Sequence, residues 1–387
     1  MSLTQRLLPA AFLLLPLVSL AQPQYYTVDK DTLKLVEDQY RGVGVLKTEN
    51  GISIIKVDNR LTDLIVEELR TQKHGGFVGH MSYKDALEAL KPAPDFFPFA
   101  GFSITEEDRV NPMVEQVQEP ELVKTITKLS SFPTRFHRSA TGKESQEWVR
   151  SNWSELTKGR NDVTVEMFNH TSTPQPSVVL TIKGSTNPDE IVVIGGHGDS
   201  IASSWGGGEK RAPGADDNAS GIACITEIVR ILMQNSYKPT RTIKFISYAA
   251  EEAGLLGSAE VAAAHKKNGA RVVGVMQLDM TNFKGSAKDI YMMSDYTNTE
   301  LNNFIGTLID KYAKVGWGYD KCGYGCSDHA SWTKNGYPAS VPFESKMAEY
   351  NHKIHSADDT LDVTGGHAEH SVSFAKLGVA FAVELAK

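Results

Sequence analysis

Histidine, aspartate and glutamate recur in short stretches that lie far apart in the chain. They read G-G-H-G-D-S at Gly195–Ser200, P-G-A-D-D-N-A-S-G at Pro213–Gly221, A-A-E-E-A-G at Ala249–Gly254 with Q-L-D-M at Gln277–Met280 just after, and N-H-K-I-H-S at Asn351–Ser356. One His, one Asp, a Glu pair, one Asp and one His, in that order, are donors suited to hold two zinc ions side by side. Two metal ions around one water make a hydrolase site. The water's pKa falls to ~7, and a single nearby carboxylate then suffices to take its proton.

Local chemistry divides these residues. His197 and Asp199 are two apart on an extended segment and point to the same side. Asp199 can therefore accept a hydrogen bond from the ring nitrogen of His197 that faces away from a metal, fixing the tautomer. The Ala215–Gly221 run precedes a helix, where Asp216, Asp217 or Asn218 serve equally well as caps. A carboxylate has two oxygens, so one of these aspartates is also able to bridge two cations. Glu251 and Glu252 are adjacent at a strand end and point in different directions, so one can bind metal while the other faces the water. The competing reading is an acidic pair opening a helix. Asp279 closes an apolar strand, where a buried charge must be paired or bound. His355 follows Ile354 in a loop, with His352 as a rival three residues earlier. His367 and His370 open the last helix and read as a surface turn, because no thiol or carboxylate is at hand to complete a site.

The elements that must position these residues follow from periodicity. Helical patterns cover Val114–Leu129, Gly142–Leu156, Ser220–Gln234, Leu255–Lys267, Thr299–Tyr312 and Gly366–Ala386. Strand patterns cover Ser177–Lys183, Glu190–Ile194, Arg241–Tyr248, Val272–Leu278, Asp289–Ser294 and Ser340–Phe343. This alternation predicts one α/β domain, a single globular unit built on a largely parallel mixed sheet flanked by helices. His197, Glu251, Glu252 and Asp279 all follow strands, and the carboxyl ends of strands are where such sheets bind ligands.

The N-terminus reads differently. Met1–Arg6 carries a positive charge, Leu7–Leu20 is mostly apolar, and Ser19-Leu20-Ala21 is a small-x-small site. Residues 1–21 therefore read as a secretory signal peptide, too short in its apolar run to span a membrane. A secreted or periplasmic protein is expected. Residues 22–110 read as a propeptide, with possible helices at Leu61–Thr71 and Tyr83–Leu90 and a Pro- and Phe-rich linker at Lys91–Phe102. It would act as an inhibitor or folding aid. The catalytic domain is then 111–387, with the boundary in a window from about residue 102 to 112. The formal net charge of -7 and the lack of a basic stripe argue against a nucleic-acid partner. A monomer without a membrane span is expected. Of three cysteines, Cys224 lies in an apolar run and reads as a core thiol. In an oxidising compartment Cys322 and Cys326 are expected to close a small disulfide loop. A reduced pair or metal ligation are the competing readings.

Together, in this order and on these elements, the motifs resemble the secreted bacterial leucyl aminopeptidases, co-catalytic two-zinc exopeptidases. The likeness runs from about Pro112 to the C-terminus and includes C-G-Y-G-C-S-D-H-A-S-W at Cys322–Trp332, P-F-E-S-K at Pro342–Lys346 and I-H-S-A-D-D-T at Ile354–Thr360. The resemblance implies that His197 and Asp279 bind the first of two Zn2+ ions and that Glu252 and His355 bind the second. Asp217 bridges them, Glu251 is the general base, and Asp199 supports His197. At Asn218 some relatives carry a third Asp. The resemblance further implies a specificity pocket of Met280, Tyr324, Phe343, Met347 and Ile354, walled by the Cys322–Cys326 loop. The expected substrates are peptides or proteins with a free N-terminus, preferably bearing a bulky hydrophobic residue. The rival readings are a one-zinc glutaminyl cyclase, which shares this fold, and a non-catalytic binding domain.

Overall fold

A computed structural model describes residues 25–40, 43–57, 77–80, 82–91, 101–202, 210–323 and 325–387. The expected signal peptide, the helix expected at Leu61–Thr71 and most of the Lys91–Phe102 linker lie outside the described residues.

The segment read as a propeptide contains a small sheet that its charged, short-patterned sequence does not announce. Strand β1 (Tyr25–Val28) leads to helix α1 (Lys30–Gln39), which Asp29 caps by accepting the amide of Thr32. Strands β2 (Gly44–Glu49), β3 (Ile52–Lys56) and β4 (Phe77–His80) follow, then helix α2 (Tyr83–Ala89). The order is β2-β3-β1-β4, with β1 antiparallel to both neighbours. Strand β4 is buried at every position and reaches the rest of the chain. Gly79 donates its amide to the carbonyl of Gly254 at 3.2 Å, and Val78 packs with Leu255 and Ala330. The small sheet thus rests on the turn that follows Glu251 and Glu252.

The main unit begins with helices α3 (Glu107–Val114), α4 (Glu119–Ser130) and α5 (Ala140–Leu156). Strands β5 (Val163–Phe168), β6 (Ser177–Ile182) and β7 (Asn187–His197) come next, then helix α6 (Gly221–Gln234). The chain continues with β8 (Arg241–Tyr248), α7 (Leu256–Lys267), β9 (Arg271–Gln277), β10 (Ile290–Met293) and α8 (Thr299–Leu308). It closes with β11 (Trp317–Asp320), α9 (His329–Lys334), β12 (Ala339–Ser340), β13 (Pro342–Phe343) and α10 (Glu369–Leu385). The main sheet runs β12-β9-β7-β8-β6-β5. Its β12–β9, β9–β7 and β7–β8 pairings are parallel, and β8–β6 and β6–β5 are antiparallel. This is the α/β fold with a mixed sheet that the alternating pattern predicts. Helices α6 and α10 are apolar nearly all round because they are buried nearly all round.

Several details depart from the sequence reading. Strand β5 and strand β11 were not expected. The strand expected at Ser340–Phe343 is two short strands in different sheets, because β12 pairs with β9 whereas β13 pairs with β10. Helix α3 overlaps the window of about residue 102 to 112 in which the boundary is expected, and its Val110, Met113 and Val114 are core residues. Glu384, buried in α10, accepts the amides of Thr105 and Glu106 at 3.1 Å each and the hydroxyl of Tyr312 at 2.6 Å. Packing therefore draws the start of the main unit back to before Ser103. A chain trimmed to begin at Asn111 leaves the Glu384 carboxylate without those amides, a loss of roughly 1.5–3 kcal/mol per charged hydrogen bond. It is expected to melt several degrees below a chain trimmed before Ser103, as thermal unfolding followed by circular dichroism would show.

Candidate metal centre

The candidate ligands lie at or near the ends of elements. His197 is the last residue of β7, Glu251 and Glu252 lie just beyond β8, and Asp279 lies just beyond β9. These are neighbouring parallel strands, so their carboxyl ends converge. Asp217 sits in an irregular helical turn, Ala215–Ser220, that leads into α6. His355 lies in the loop between β13 and the short turn Leu361–Thr364. Left-handed backbone at Met280 (φ 56°) and His355 (φ 54°) sets the chain direction next to these ligands. Such conformations cost non-glycine residues energy and cluster at functional sites.

The structure brings all five candidate ligands together. The two oxygens of Asp217 face two different histidines. Oδ1 is 2.9 Å from His197 Nε2, and Oδ2 is 2.9 Å from His355 Nε2. Asp279 Oδ1 lies 3.3 Å from the same nitrogen of His197, and Glu252 Oε2 lies 3.3 Å from that of His355. Two triads result, His197–Asp217–Asp279 and Asp217–Glu252–His355, each with ligand atoms within 4.8 Å of one another. Asp217 is the member they share. The Glu251 carboxylate closes a third group with His197 and Glu252. It therefore lies beside the two triads while belonging to neither.

The electrostatics suit a cation. Burial opposes charge on His197, but Asp279 and Glu251, with Asp199 and Asp217, overcome it and hold the imidazole well above its usual pKa. Burial would also neutralise Asp217, yet the two histidines keep its carboxyl well below the usual range. Asp279 Oδ1 is buried and, beyond its 3.3 Å contact with His197, has no hydrogen-bond partner among the described residues, a costly state for an oxygen unless a cation takes it. Two imidazoles and three carboxylates form a hard nitrogen and oxygen set of the kind that divalent metals select.

Asp199 does more than the sequence suggests. His197 Nδ1 is 3.2 Å from the backbone carbonyl of Asp199 and 3.4 Å from its carboxylate. The ring nitrogen thus faces both acceptors of Asp199, and the carboxylate also has capacity for further donors. It accepts the amide of Glu251 at 3.0 Å and that of Glu252 at 3.2 Å. One aspartate thus orients the histidine and both glutamates.

Other supports were not visible in the sequence. Asp359 accepts the amides of Asp216 and Asp217 at 3.2 and 3.1 Å. Burial, with Asp216 and Asp217 nearby, pushes its carboxyl up to about 8. Asn351 donates its side-chain amide to Asp216 and to Asp359, tying the His355 loop to the Asp217 turn. Asn218 donates to the carbonyl of Leu278 at 3.0 Å and accepts the amide of Met280 at 3.2 Å, so it links Asp217 to the strand end that carries Asp279. Ser327 donates to Asp279 Oδ2 at 2.6 Å, and Gln277 spans Ser327 and Asp328. The only sequence signal for these was the company they keep, in A-D-D-N, C-S-D-H and S-A-D-D-T.

Met280, Phe343, Met347 and Ile354 gather in one apolar cluster with Tyr291, Met293, Val341, Tyr350 and Cys322. Tyr324 lies outside the described residues. Cys322 and Cys326 form a disulfide, and Cys224 is a free buried thiol. His352 and His367 are exposed, and His370 packs edge-on against Phe374.

The model of peptidase family M28 matches residues 177–377. A probable leucine aminopeptidase 1 from Trichophyton verrucosum is 38% identical over 301 residues, covering 74% of this chain and 79% of that one. LapB from Legionella pneumophila has a solved structure that superposes with a TM-score of 0.82 at 30% identity, covering 94% of this chain and 100% of that one. A zinc aminopeptidase from Bacillus subtilis shares the fold, with a TM-score of 0.58 at 17% identity over 70% of this chain and 96% of that one. The chain belongs to peptidase family M28 and is a metallo-aminopeptidase. No helix among the described residues is long and apolar enough to cross a membrane.

Proposed function

We propose that the protein is an exported, two-zinc leucyl-type aminopeptidase that removes bulky hydrophobic residues from the free N-termini of peptides and proteins. The observation that carries this reading is Asp217, whose two oxygens each face a separate histidine–carboxylate pair. Tetrahedral zinc with bonds of ~2.0–2.1 Å to nitrogen and oxygen sets its ligands roughly 3.3 Å apart. The 3.3 Å contacts of His197 with Asp279 and of His355 with Glu252 match that spacing, and the 2.9 Å contacts with Asp217 are slightly shorter. His197 and Asp279 would hold one ion, Glu252 and His355 the other, and Asp217 both.

Zinc bound there supplies a Lewis acid for the scissile carbonyl and acidifies the water beside it. Glu251 takes that water's proton and delivers it to the departing amine. The buried carboxylates offer a counter-charge to the cationic α-amine of a free N-terminus, which favours exopeptidase action. The apolar cluster joins the site through Met280, next to Asp279, and Ile354, next to His355, and would take the side chain of the residue removed. The glutaminyl cyclase reading needs one zinc, and the shared Asp217 makes it the weaker one.

Residues 1–21 would direct export, and the N-terminal sheet would act as a prosegment removed before Ser103. Its β4 strand lies against the turn after Glu252, which supports an effect of its removal on the site. The test is release of free amino acid from chromogenic amides with different N-terminal residues. Release should be fastest for leucine-like residues and abolished by a zinc chelator. Release that survives chelation would reject the reading.

A further inference from the structure

The side chain of Arg135 is fully buried behind the metal centre, and no carboxylate lies within ion-pairing distance among the described residues. It spends its donors on four backbone carbonyls instead. Nε donates to Gly198 at 3.0 Å, Nη2 to Gly214 at 2.9 Å, and Nη1 to Leu129 at 3.3 Å and to Pro213. Gly198 follows the ligand His197 and precedes Asp199. Pro213 and Gly214 open the turn that carries Asp217. One guanidinium therefore joins the two segments that present the shared ligand and its first histidine.

Neighbouring contacts reinforce the junction. Arg135 donates its backbone amide to Ser200 Oγ at 3.2 Å, and that hydroxyl donates to the carbonyl of Ala212 at 2.8 Å. Gly214 adopts a left-handed φ of 52°. A Cβ there would come within 2.6 Å of Ser200 Cβ and 2.7 Å of Arg135 Nη2. The backbone and the guanidinium occupy the space a side chain would need. Burial lowers the guanidinium pKa only to about 10, with Asp359, Asp199 and Asp217 sustaining the charge, so it is a fixed cation at neutral pH.

We propose that Arg135 is a positioning residue of the metal centre: its fork fixes the distance between the His197 strand end and the Asp217 turn, and so sets zinc affinity. This rests on the two-zinc reading above. A lysine keeps the charge but is a point donor that cannot span these carbonyls. A bare cation so close to the ligands would repel zinc, so if charge were its main effect, removing it would tighten binding. The fork predicts the opposite.

The test measures zinc affinity of the full-length chain by competition with a chromogenic chelator, for the parent, R135K, R135M and the milder S200A. Partners that orient metal ligands typically contribute 10- to 100-fold in affinity. Both Arg135 variants are expected to lose about that much, and S200A several-fold. Melting temperature is recorded with and without zinc. Weaker binding shrinks the zinc-induced rise, whereas a merely structural role lowers both temperatures and leaves the rise unchanged. Parent-like or tighter zinc binding in R135K and R135M overturns the proposal. If neither variant folds, S200A decides, and unchanged affinity there overturns it. Failure of the parent to bind zinc would instead reject the two-zinc reading itself.

Discussion

Glu251→Gln is expected to bind metal like the parent and to lose activity by roughly 100- to 10,000-fold, the usual worth of a positioned general base. At 1.36 kcal/mol per tenfold change, that is about 2.7–5.4 kcal/mol of barrier. The exchange keeps shape and hydrogen bonding but removes the ability to take a proton. The carboxylate lies beside His197 and Glu252 yet outside both triads that share Asp217. Its backbone amide is held by Asp199, so the turn should keep its shape in the variant. The measurement is kcat together with metal per chain. If the variant loses metal in step with activity, Glu251 is a ligand, and the third grouping of His197, Glu251 and Glu252 is the operative one.

Asp217→Asn is expected to be at least as damaging, by a different route. Asparagine retains one carbonyl oxygen and replaces the other with an NH2 group that cannot bind a cation. Each half of the centre shares Asp217, so both lose affinity. Partners that only orient ligands are worth 10- to 100-fold. Loss of a shared ligand should exceed the upper end of that range. Activity should fall with metal content and recover in part at high added zinc, which Glu251→Gln should not do. Parent-like metal content in Asp217→Asn would remove Asp217 from the ligand set.

The strand-end members of the candidate centre were legible in the sequence because they break a rule visible in one dimension, whereas the choice of Asp217 and His355 over their neighbours rested on the family resemblance. Charged side chains end apolar strands at His197, Glu251 and Asp279, where burial demands a partner. The longer strands and helices of the main unit were legible because their apolar periods are long, whereas β5, β11 and α9 were not. The supports were not. Arg135 acts across 79 residues to Gly214, and Asp359 across 142 to Asp217, through hydrogen bonds that leave no pattern. Asp199 was read as a partner of one histidine because spacing shows only near neighbours. Its bonds to Glu251 and Glu252 depend on β7 and β8 lying side by side. The N-terminal sheet was missed because strands such as Tyr25–Val28 are only 4 residues long, too short for alternation to stand out. The domain boundary was legible only as a window from about residue 102 to 112, because α3, with Pro112 inside it, is too short for its period to stand out.

The central claim is that one carboxylate joins two metal sites. Titrating zinc into metal-free, folded protein and counting bound ions per chain tests it most directly. The account predicts two, with activity rising as the ions fill. Saturation at a single zinc with full activity would contradict it.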